Sequence, residues 1–245
     1  MSSIWLDAEG KEPGIMRALV FAAHPDDEVI AVGGTIRKLA NAGAEIRLVH
    51  FSDGAEGYTT LDEKHTIVDL RRQETGQVCA ILGIGSYTNL HLQDWNLQVG
   101  NSTYHAVIRE IRTFKPDIVF THTRADYHDH MTVHDVVTDG WFHAPLPCAM
   151  DLGPVWKYVP LYEFEVRQPI SAPSLIVDVS DTFDAKVKAM QCYGSQLEHV
   201  GSIFQMMEGR AKERGYLGGG LYGEALLRTT FHPIPVRNVK DLMKA

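Results

Sequence analysis

A short apolar run that ends in a histidine and three acidic residues constrains the fold of this chain more than any other feature. Residues 18–22 are all apolar, which predicts a buried strand. The residues that follow are Ala23, His24, Pro25, Asp26, Asp27 and Glu28. In an open α/β sheet, ligands bind beyond the carboxyl ends of the strands. The polar residues after this run are therefore predicted to stand where a substrate could reach them.

Residue chemistry alone leaves two interpretations of this turn open. Proline and acidic residues suit the first turn of a helix, so the segment could be ordinary helix initiation. A histidine and a carboxylate on one tight turn could instead ligate a cation such as Zn²⁺. A second carboxylate beside them could then act as a base.

A second group of candidate ligands follows another predicted strand, residues 117–121. Five histidines lie between His122 and His143. Taken singly, His122, His134 and His143 read as packed or surface residues. The His-Asp-His run at residues 128–130 is different, because carboxylates commonly orient ligating imidazoles.

The two groups together suggest a catalytic metal site. A set made of His24, Asp27 and His130 would give Zn²⁺ three protein ligands and leave one position for water. Asp129 would then orient one of the ligating imidazoles without contacting the metal itself.

Strands and helices alternate along the first part of the chain, which favours a parallel sheet. Strands are predicted at residues 17–23, 45–51, 87–90 and 117–121, and helices at 26–42, 63–82, 103–114 and 130–142. After residue 144, prolines and glycines interrupt the pattern before strands at 161–166 and 175–179 and a helix at 182–193. We expect a single domain over residues 1–245, with a core at about 15–145 and a carboxyl-terminal elaboration at about 146–245.

Composition excludes several classes of protein. A net charge of -8 argues against a nucleic-acid partner, which normally requires a basic face. Three widely spaced cysteines favour neither a disulfide framework nor a cysteine zinc site. No apolar run approaches the roughly 20 residues that span a bilayer, and the amino terminus does not read as a leader. We therefore expect a cytoplasmic protein with no integral membrane segment.

Several motifs resemble those of the LmbE-like, or PIG-L, zinc deacetylases, which remove acetyl groups from N-acetylglucosamine-type substrates. The resemblance covers most of the chain. It rests on AHPDDE at residues 23–28, GGT at 33–35, RRQE at 71–74, LHLQD at 90–94, DHMTVH at 129–134, and a late segment at 179–196.

This resemblance implies a Rossmann-like, mostly parallel α/β sheet flanked by helices, with a carboxyl-terminal elaboration that shapes the pocket. It also implies His24, Asp27 and His130 as ligands of Zn²⁺ and Asp26 as the general base. Residues Arg71 and Asp94 match positions that hold substrate hydroxyls. The implied substrate is a small N-acetylated sugar or glycoconjugate, and members of the family are often homo-oligomers.

One spacing departs from the family pattern. The family commonly carries a substrate-facing histidine three residues before its last ligand, whereas this chain reads His128-Asp129-His130. Tyr127 occupies the family histidine's offset, and His128 offers the matching chemistry if the loop reshapes. Either residue could stabilise the oxyanion of the reaction.

Two other functions compete with deacetylation of a sugar. A zinc amidase acting on a non-sugar N-acyl substrate would need the same metal chemistry. A nucleotide-binding protein without hydrolytic activity would present a glycine-rich turn after its first strand, whereas Asp26, Asp27 and Glu28 would repel phosphate. The acidic turn therefore favours a hydrolase.

Overall fold

The computed structural model describes residues 15–197 and 201–229. Its strands are β1 (Arg17–Ala22), β2 (Glu45–Ser52), β3 (Ser86–Leu92), β4 (Ile118–His122), β5 (Leu161–Phe164), β6 (Leu175–Asp178) and β7 (Gly223–Arg228). Its helices are α1 (Asp27–Asn41), α2 (Ile67–Leu82), α3 (Asn101–Phe114), α4 (His128–His143), α5 (Phe183–Cys192), α6 (Gly194–Leu197) and α7 (Ile203–Gly218).

These strands form one mostly parallel sheet in the order β3-β2-β1-β4-β5-β7-β6. Strands β1 to β5 pair in parallel, and β7 is antiparallel to both of its neighbours. Strand β1 lies between β2 and β4, so the direction in which strands are added reverses beside β1. Such a reversal leaves a crevice at the carboxyl ends of the strands. The predicted α/β class and mostly parallel sheet are confirmed.

Helices cover both faces of the sheet and enclose two apolar cores. On one face, α1, α2, α5 and α7 contribute buried residues that include Ile36, Val78, Met190 and Met207. On the other face, α3 and α4 contribute residues that include Val107 and Val136. Burial on both faces explains why the parallel strands read as continuous apolar runs.

The first helix is kinked next to the site. Val32 has φ -130° and ψ 20°, outside the helical region. Glu224 of β7 accepts the backbone N–H groups of Gly34 and Thr35 at 2.9 and 2.7 Å. Its carboxylate also pairs with the buried Lys186 ammonium at 2.6 Å. The last described strand therefore caps the second half of the first helix.

The structure differs from the sequence predictions at one helix before residue 144 and at several elements after it. The long predicted helix at 63–82 is a 3₁₀ turn, Glu63–His65, followed by α2. Helix α7 and strand β7 are not among the predicted elements, although β7 lies inside the sheet. Gly219 follows the last residue of α7 with φ 78° and caps the helix. In the described ranges, no helix is both long and apolar enough to cross a bilayer.

Candidate active site

A cavity of about 880 Å³ opens at the carboxyl ends of the parallel strands. Its floor carries the turn after β1 and the start of α4, which follows β4. Further walls come from the segments that follow β2, β3 and β5 and from the start of α7. The cavity therefore collects residues that are distant in the sequence, as expected for a site at a reversal in strand order.

Three side chains on the cavity floor converge on one point. His24, Asp27 and His130 each offer one ligand atom, and these atoms all lie within 4.8 Å of one another. His130 Nε2 is 3.1 Å from Asp27 Oδ1, and His24 Nδ1 is 3.4 Å from Asp27 Oδ2. Two imidazoles and one carboxylate are the donor set of many catalytic zinc sites.

Asp129 orients the first of these imidazoles. Its Oδ2 lies 3.1 Å from His24 Nε2 and accepts the backbone N–H of Trp95 at 2.8 Å. With Nε2 turned to Asp129, the Nδ1 atom of His24 faces Asp27, where it could ligate a metal ion. This carboxylate–histidine arrangement commonly supports a metal ligand.

The second imidazole fits a metal ion for a different reason. His130 is 1 % exposed, yet neither of its ring nitrogens has a hydrogen-bond partner among the described residues. Its Nδ1 lies 3.3 Å from Asp126 Oδ2, an ion-pair distance. A buried polar nitrogen without a hydrogen bond is costly, and coordination of Nε2 would satisfy it.

Electrostatics at the floor favour a bound cation. Burial opposes the ionised form of Asp27, but His130 and His122 hold its pKa well below the usual range. Burial likewise opposes the charged form of His24, but Asp129 and Asp27 raise the pKa of His24 to about 10. The floor therefore concentrates positive charge around the Asp27 carboxylate, and a divalent cation would replace those protons.

Asp26, the predicted base, occupies a strained turn beside these ligands. Its φ is 116°, in the left-handed region that non-glycine residues rarely adopt. Its side chain is 3.3 Å from Arg71 Nη2. Burial, opposed by Arg71, raises the pKa of Asp26 to about 7. A strained acid with a raised pKa in a cleft is typical of a catalytic position.

A buried hydrogen-bond network supports the turn that contains Asp26. Glu28 is fully buried, and its Oε2 accepts the backbone N–H of Asp26 at 3.2 Å and lies 2.9 Å from His50 Nε2. Its Oε1 accepts the hydroxyl of Tyr193 at 2.8 Å. The strained turn is therefore held by partners from β2 and from the end of α5.

Arg71 lines the cavity but is largely occupied by the protein itself. Its guanidinium donates to the carbonyl of Pro25 and, at 3.3 Å, to the carbonyl of Gly54. A Cβ atom at Gly54 would lie 2.3 Å from Arg71 Nη1. The absence of a side chain at Gly54 therefore leaves room for the guanidinium. These contacts make Arg71 a support for the Pro25-Asp26 turn, and its predicted contact with substrate hydroxyls stays a prediction.

Asp94 has one side-chain oxygen without a hydrogen-bond partner among the described residues. It is 5 % exposed and lines the cavity. Its Oδ2 accepts the backbone N–H of Glu56 at 2.8 Å, whereas its buried Oδ1 has no hydrogen-bond partner in the described ranges. A substrate hydroxyl would satisfy that oxygen.

The structure separates the two candidates for oxyanion stabilisation. Tyr127 lines the cavity, and its hydroxyl lies 3.2 Å from His24 Nδ1. His128 does not line the cavity, and its Nε2 lies 3.1 Å from the carbonyl of Leu97. Because α4 begins at His128, each residue there turns about 100° from the last. The loop reshaping on which a role for His128 depends is not seen among the described residues.

Several cavity residues are not among the predicted site residues. They include Glu56, Val166, Arg167, Gln196, Ile203 and Met206. Gln196 belongs to the late family-like segment, which is a signal that could have identified it. The others follow strands or start α7, and only the three-dimensional arrangement brings them to the cavity.

Comparisons with known proteins agree with this geometry. The chain is 26% identical, over 80% of its length and 85% of the relative's, to 1D-myo-inositol 2-acetamido-2-deoxy-alpha-D-glucopyranoside deacetylase 1 of Frankia casuarinae. It is 27% identical to 4-oxalmesaconate hydratase of Pseudomonas putida, with 75% of this chain and 74% of the relative covered.

A solved structure shares the fold over nearly the whole chain. N,N'-diacetylchitobiose deacetylase from Pyrococcus horikoshii superposes with a TM-score of 0.80 and 25% identity, covering 90% of this chain and 87% of that one. The family model described as PIG-L, GlcNAc-PI de-N-acetylase, matches residues 19–141. That range contains the three convergent ligands and Asp26, and the chain belongs to the PIG-L family.

Proposed function

We propose that this protein is a zinc-dependent deacetylase that removes the acetyl group from an N-acetylglucosamine unit of a sugar or glycoconjugate. The observation that carries the proposal is the convergence of His24, Asp27 and His130 beside the strained Asp26 on the floor of a large cavity. The named activities of the Frankia and Pyrococcus deacetylases support the substrate class.

Each residue of the floor has a task in this reaction. His24, Asp27 and His130 would hold the metal, and Asp129 would fix the orientation of His24. The chemistry supplied by zinc at such a site is polarisation of the amide carbonyl and a lowered pKa for the attacking water. Asp26 would accept the proton of that water, and the same carboxyl group would return it to the leaving amine.

The cavity walls would stabilise and orient the substrate. The Tyr127 hydroxyl, beside His24, would donate a hydrogen bond to the developing oxyanion. Asp94 Oδ1 would accept a hydrogen bond from a sugar hydroxyl. Arg71 would keep Asp26 in place through the carbonyl of Pro25 and the Asp26 carboxylate.

Two experiments together test the proposal. Elemental analysis of purified protein should find about one zinc per chain, and a loaded preparation should release acetate from N-acetylated sugars such as N,N'-diacetylchitobiose. Efficient cleavage of N-acetylated amino acids without cleavage of any N-acetylated sugar would favour the non-sugar amidase. Absorbance near 260 nm from a co-purified nucleotide, with no zinc, would favour the nucleotide-binding alternative.

The hydratase relative adds a further control. Hydration of 4-oxalmesaconate, with no acetate released from any amide, would show that this chain shares that relative's chemistry. The cytoplasmic location and a homo-oligomeric state remain predictions that this assay does not address.

A further inference from the structure

Charge is distributed unevenly around the cavity. Carboxylates of Asp26, Asp27, Glu56 and Asp94 line it on the side of β1, β2 and β3. On the other side, beyond β4, the segment after β5 contributes Arg167. An anionic group on a substrate would be repelled from the first side and attracted to the second.

The guanidinium of Arg167 is available for such a group. Arg167 is exposed to the cavity, and within residues 15–197 and 201–229 its side chain forms no ion pair or hydrogen bond. By contrast, the cavity's other arginine, Arg71, donates to protein carbonyls and to Asp26. An arginine that contacts no acceptor is suited to bidentate binding of a carboxylate or phosphate.

The backbone that carries Arg167 is fixed on both sides. Its N–H donates to Asp126 Oδ2 at 3.0 Å, and its carbonyl accepts from Arg210 Nη2 at 2.9 Å. Asp126 Oδ2 is itself 3.3 Å from His130 Nδ1. A single carboxylate therefore links the backbone of Arg167 to a predicted metal ligand, which keeps the Cα atom of Arg167 at a fixed distance from the reacting centre.

Distance and surroundings fit a substituent attached to the sugar. Strands β1 and β5 are separated only by β4, so their ends lie roughly 10 Å apart. That span suits a sugar bound over the floor with its substituent directed toward β5. Val166 and Ile203, which are both buried, line the cavity together with Arg167.

We infer that Arg167, with Val166, Ile203 and Met206, forms a subsite for an anionic group, a carboxylate or a phosphodiester, carried by the substituent on the N-acetylglucosamine unit. This inference rests on the proposed function, because the subsite is positioned relative to a sugar at the metal site. It makes Arg167 a residue that selects the substrate and has no part in the bond-breaking step.

A matched pair of substrates tests the subsite. One is an N-acetylglucosamine glycoside of a hydroxy acid, and the other is its primary amide, which has the same shape without the charge. A phosphodiester-linked glycoside forms a third arm that separates the two kinds of anion. We expect wild-type zinc-loaded protein to prefer the acid over the amide by roughly 10-fold in kcat/KM, the effect of one charge-assisted hydrogen bond.

Variants of Arg167 should remove this preference selectively. Arg167→Gln should lower kcat/KM about 10-fold on the acid, mainly through KM, and leave the amide unchanged, whereas Arg167→Lys should retain part of the preference. Arg109→Gln is the matched control, since Arg109 is exposed on α3 and lies outside the cavity. Equal rates on acid and amide in the wild type, or a preference that survives in Arg167→Gln, would overturn the inference.

Binding measurements separate failure of the subsite from failure of the proposed function. If neither glycoside is cleaved by zinc-loaded protein, the deacetylase assignment fails. Calorimetric titration with the same acid and amide then still reports on Arg167, since only the acid should bind more weakly to Arg167→Gln. Equal affinities of wild-type protein for both compounds would reject the subsite whatever the outcome for catalysis.

Discussion

The carboxylate of Glu28 accepts the backbone N–H of Asp26 at 3.2 Å, from beneath a turn in which Asp26 has φ 116°. Two residues of the same acidic motif thus have different roles. Asp26 faces the cavity, and Glu28 holds the backbone of Asp26. A strained conformation persists only when its surroundings determine it. Glu28 is a positioning residue in this arrangement.

Replacing Glu28 should therefore affect both stability and turnover. Glu28→Ala leaves the Asp26 N–H, His50 and the Tyr193 hydroxyl without their acceptor, which we expect to cost about 3 kcal/mol or more of unfolding free energy. Glu28→Gln keeps an acceptor and should lower kcat more than it raises KM. Urea denaturation and steady-state kinetics measure the two effects. Glu213→Ala, at an exposed position on α7, serves as control, and an equal loss in that variant would contradict the role of Glu28.

The two adjacent aspartates should separate in their dependence on metal. Asp26→Asn should retain zinc and slow turnover by roughly 10²–10⁴-fold, as expected for a lost general base. Asp27→Asn removes a ligand and should lower zinc content. Elemental analysis beside acetate release distinguishes them, and parallel zinc loss in both variants would mean that the roles are not divided in this way.

Tyr127 should matter more than His128. Tyr127→Phe removes a hydroxyl that lies 3.2 Å from His24 Nδ1, and kcat should fall by roughly 10²-fold with zinc retained. His128→Ala should change kcat little, because its ring points to the carbonyl of Leu97. Loss of activity in His128→Ala, together with retained activity in Tyr127→Phe, would assign oxyanion stabilisation to His128 instead.

His134 should make stability depend on pH. It is partly buried, with Nδ1 2.9 Å from Asp135 and Nε2 3.5 Å from Glu163. Burial alone would lower its pKa, but Glu163 and Asp135 outweigh burial and raise the pKa above 6.5. A raised histidine pKa adds stability that is fully present below 6.5 and is lost as pH rises through the folded-state value. His134→Gln should therefore cost more unfolding free energy at pH 6 than at pH 9, and an equal cost at both would contradict the expectation.

The buried Lys186–Glu224 pair should be strongly coupled. Glu224→Ala strands a buried ammonium and frees the N–H groups of Gly34 and Thr35, so a loss of about 3–5 kcal/mol is expected. Adding Lys186→Met to Glu224→Gln should recover part of the loss, because no buried ammonium is then left unpaired and the amide oxygen still accepts one of the two N–H groups. A double-mutant cycle in urea measures the coupling, and additive losses would show that the pair acts independently.

Local patterns were sufficient to predict the first half of the fold and the floor of the site. The apolar run before His24 and the polar run before His130 each mark a strand end, and the two strands are neighbours. Helix α7 lacked a comparable pattern, because its buried face includes Gly215 and Arg214 as well as apolar residues. Strand β7 depends on pairing with β5 and β6, a non-local relationship that no local pattern encodes. The orientation of His128 depended on where α4 begins, two residues before the predicted start.

The cap that Glu224 provides has a consequence for synthesis of the protein. Helix α1 leaves the ribosome before β7, which is the last strand of the described chain. Until β7 inserts between β5 and β6, the N–H groups at the kink in α1 and the Lys186 ammonium have no carboxylate partner, and β5 presents an open edge. A chain truncated before Gly223 would therefore carry every residue of the metal triad but lack the carboxylate that caps the second half of its first helix.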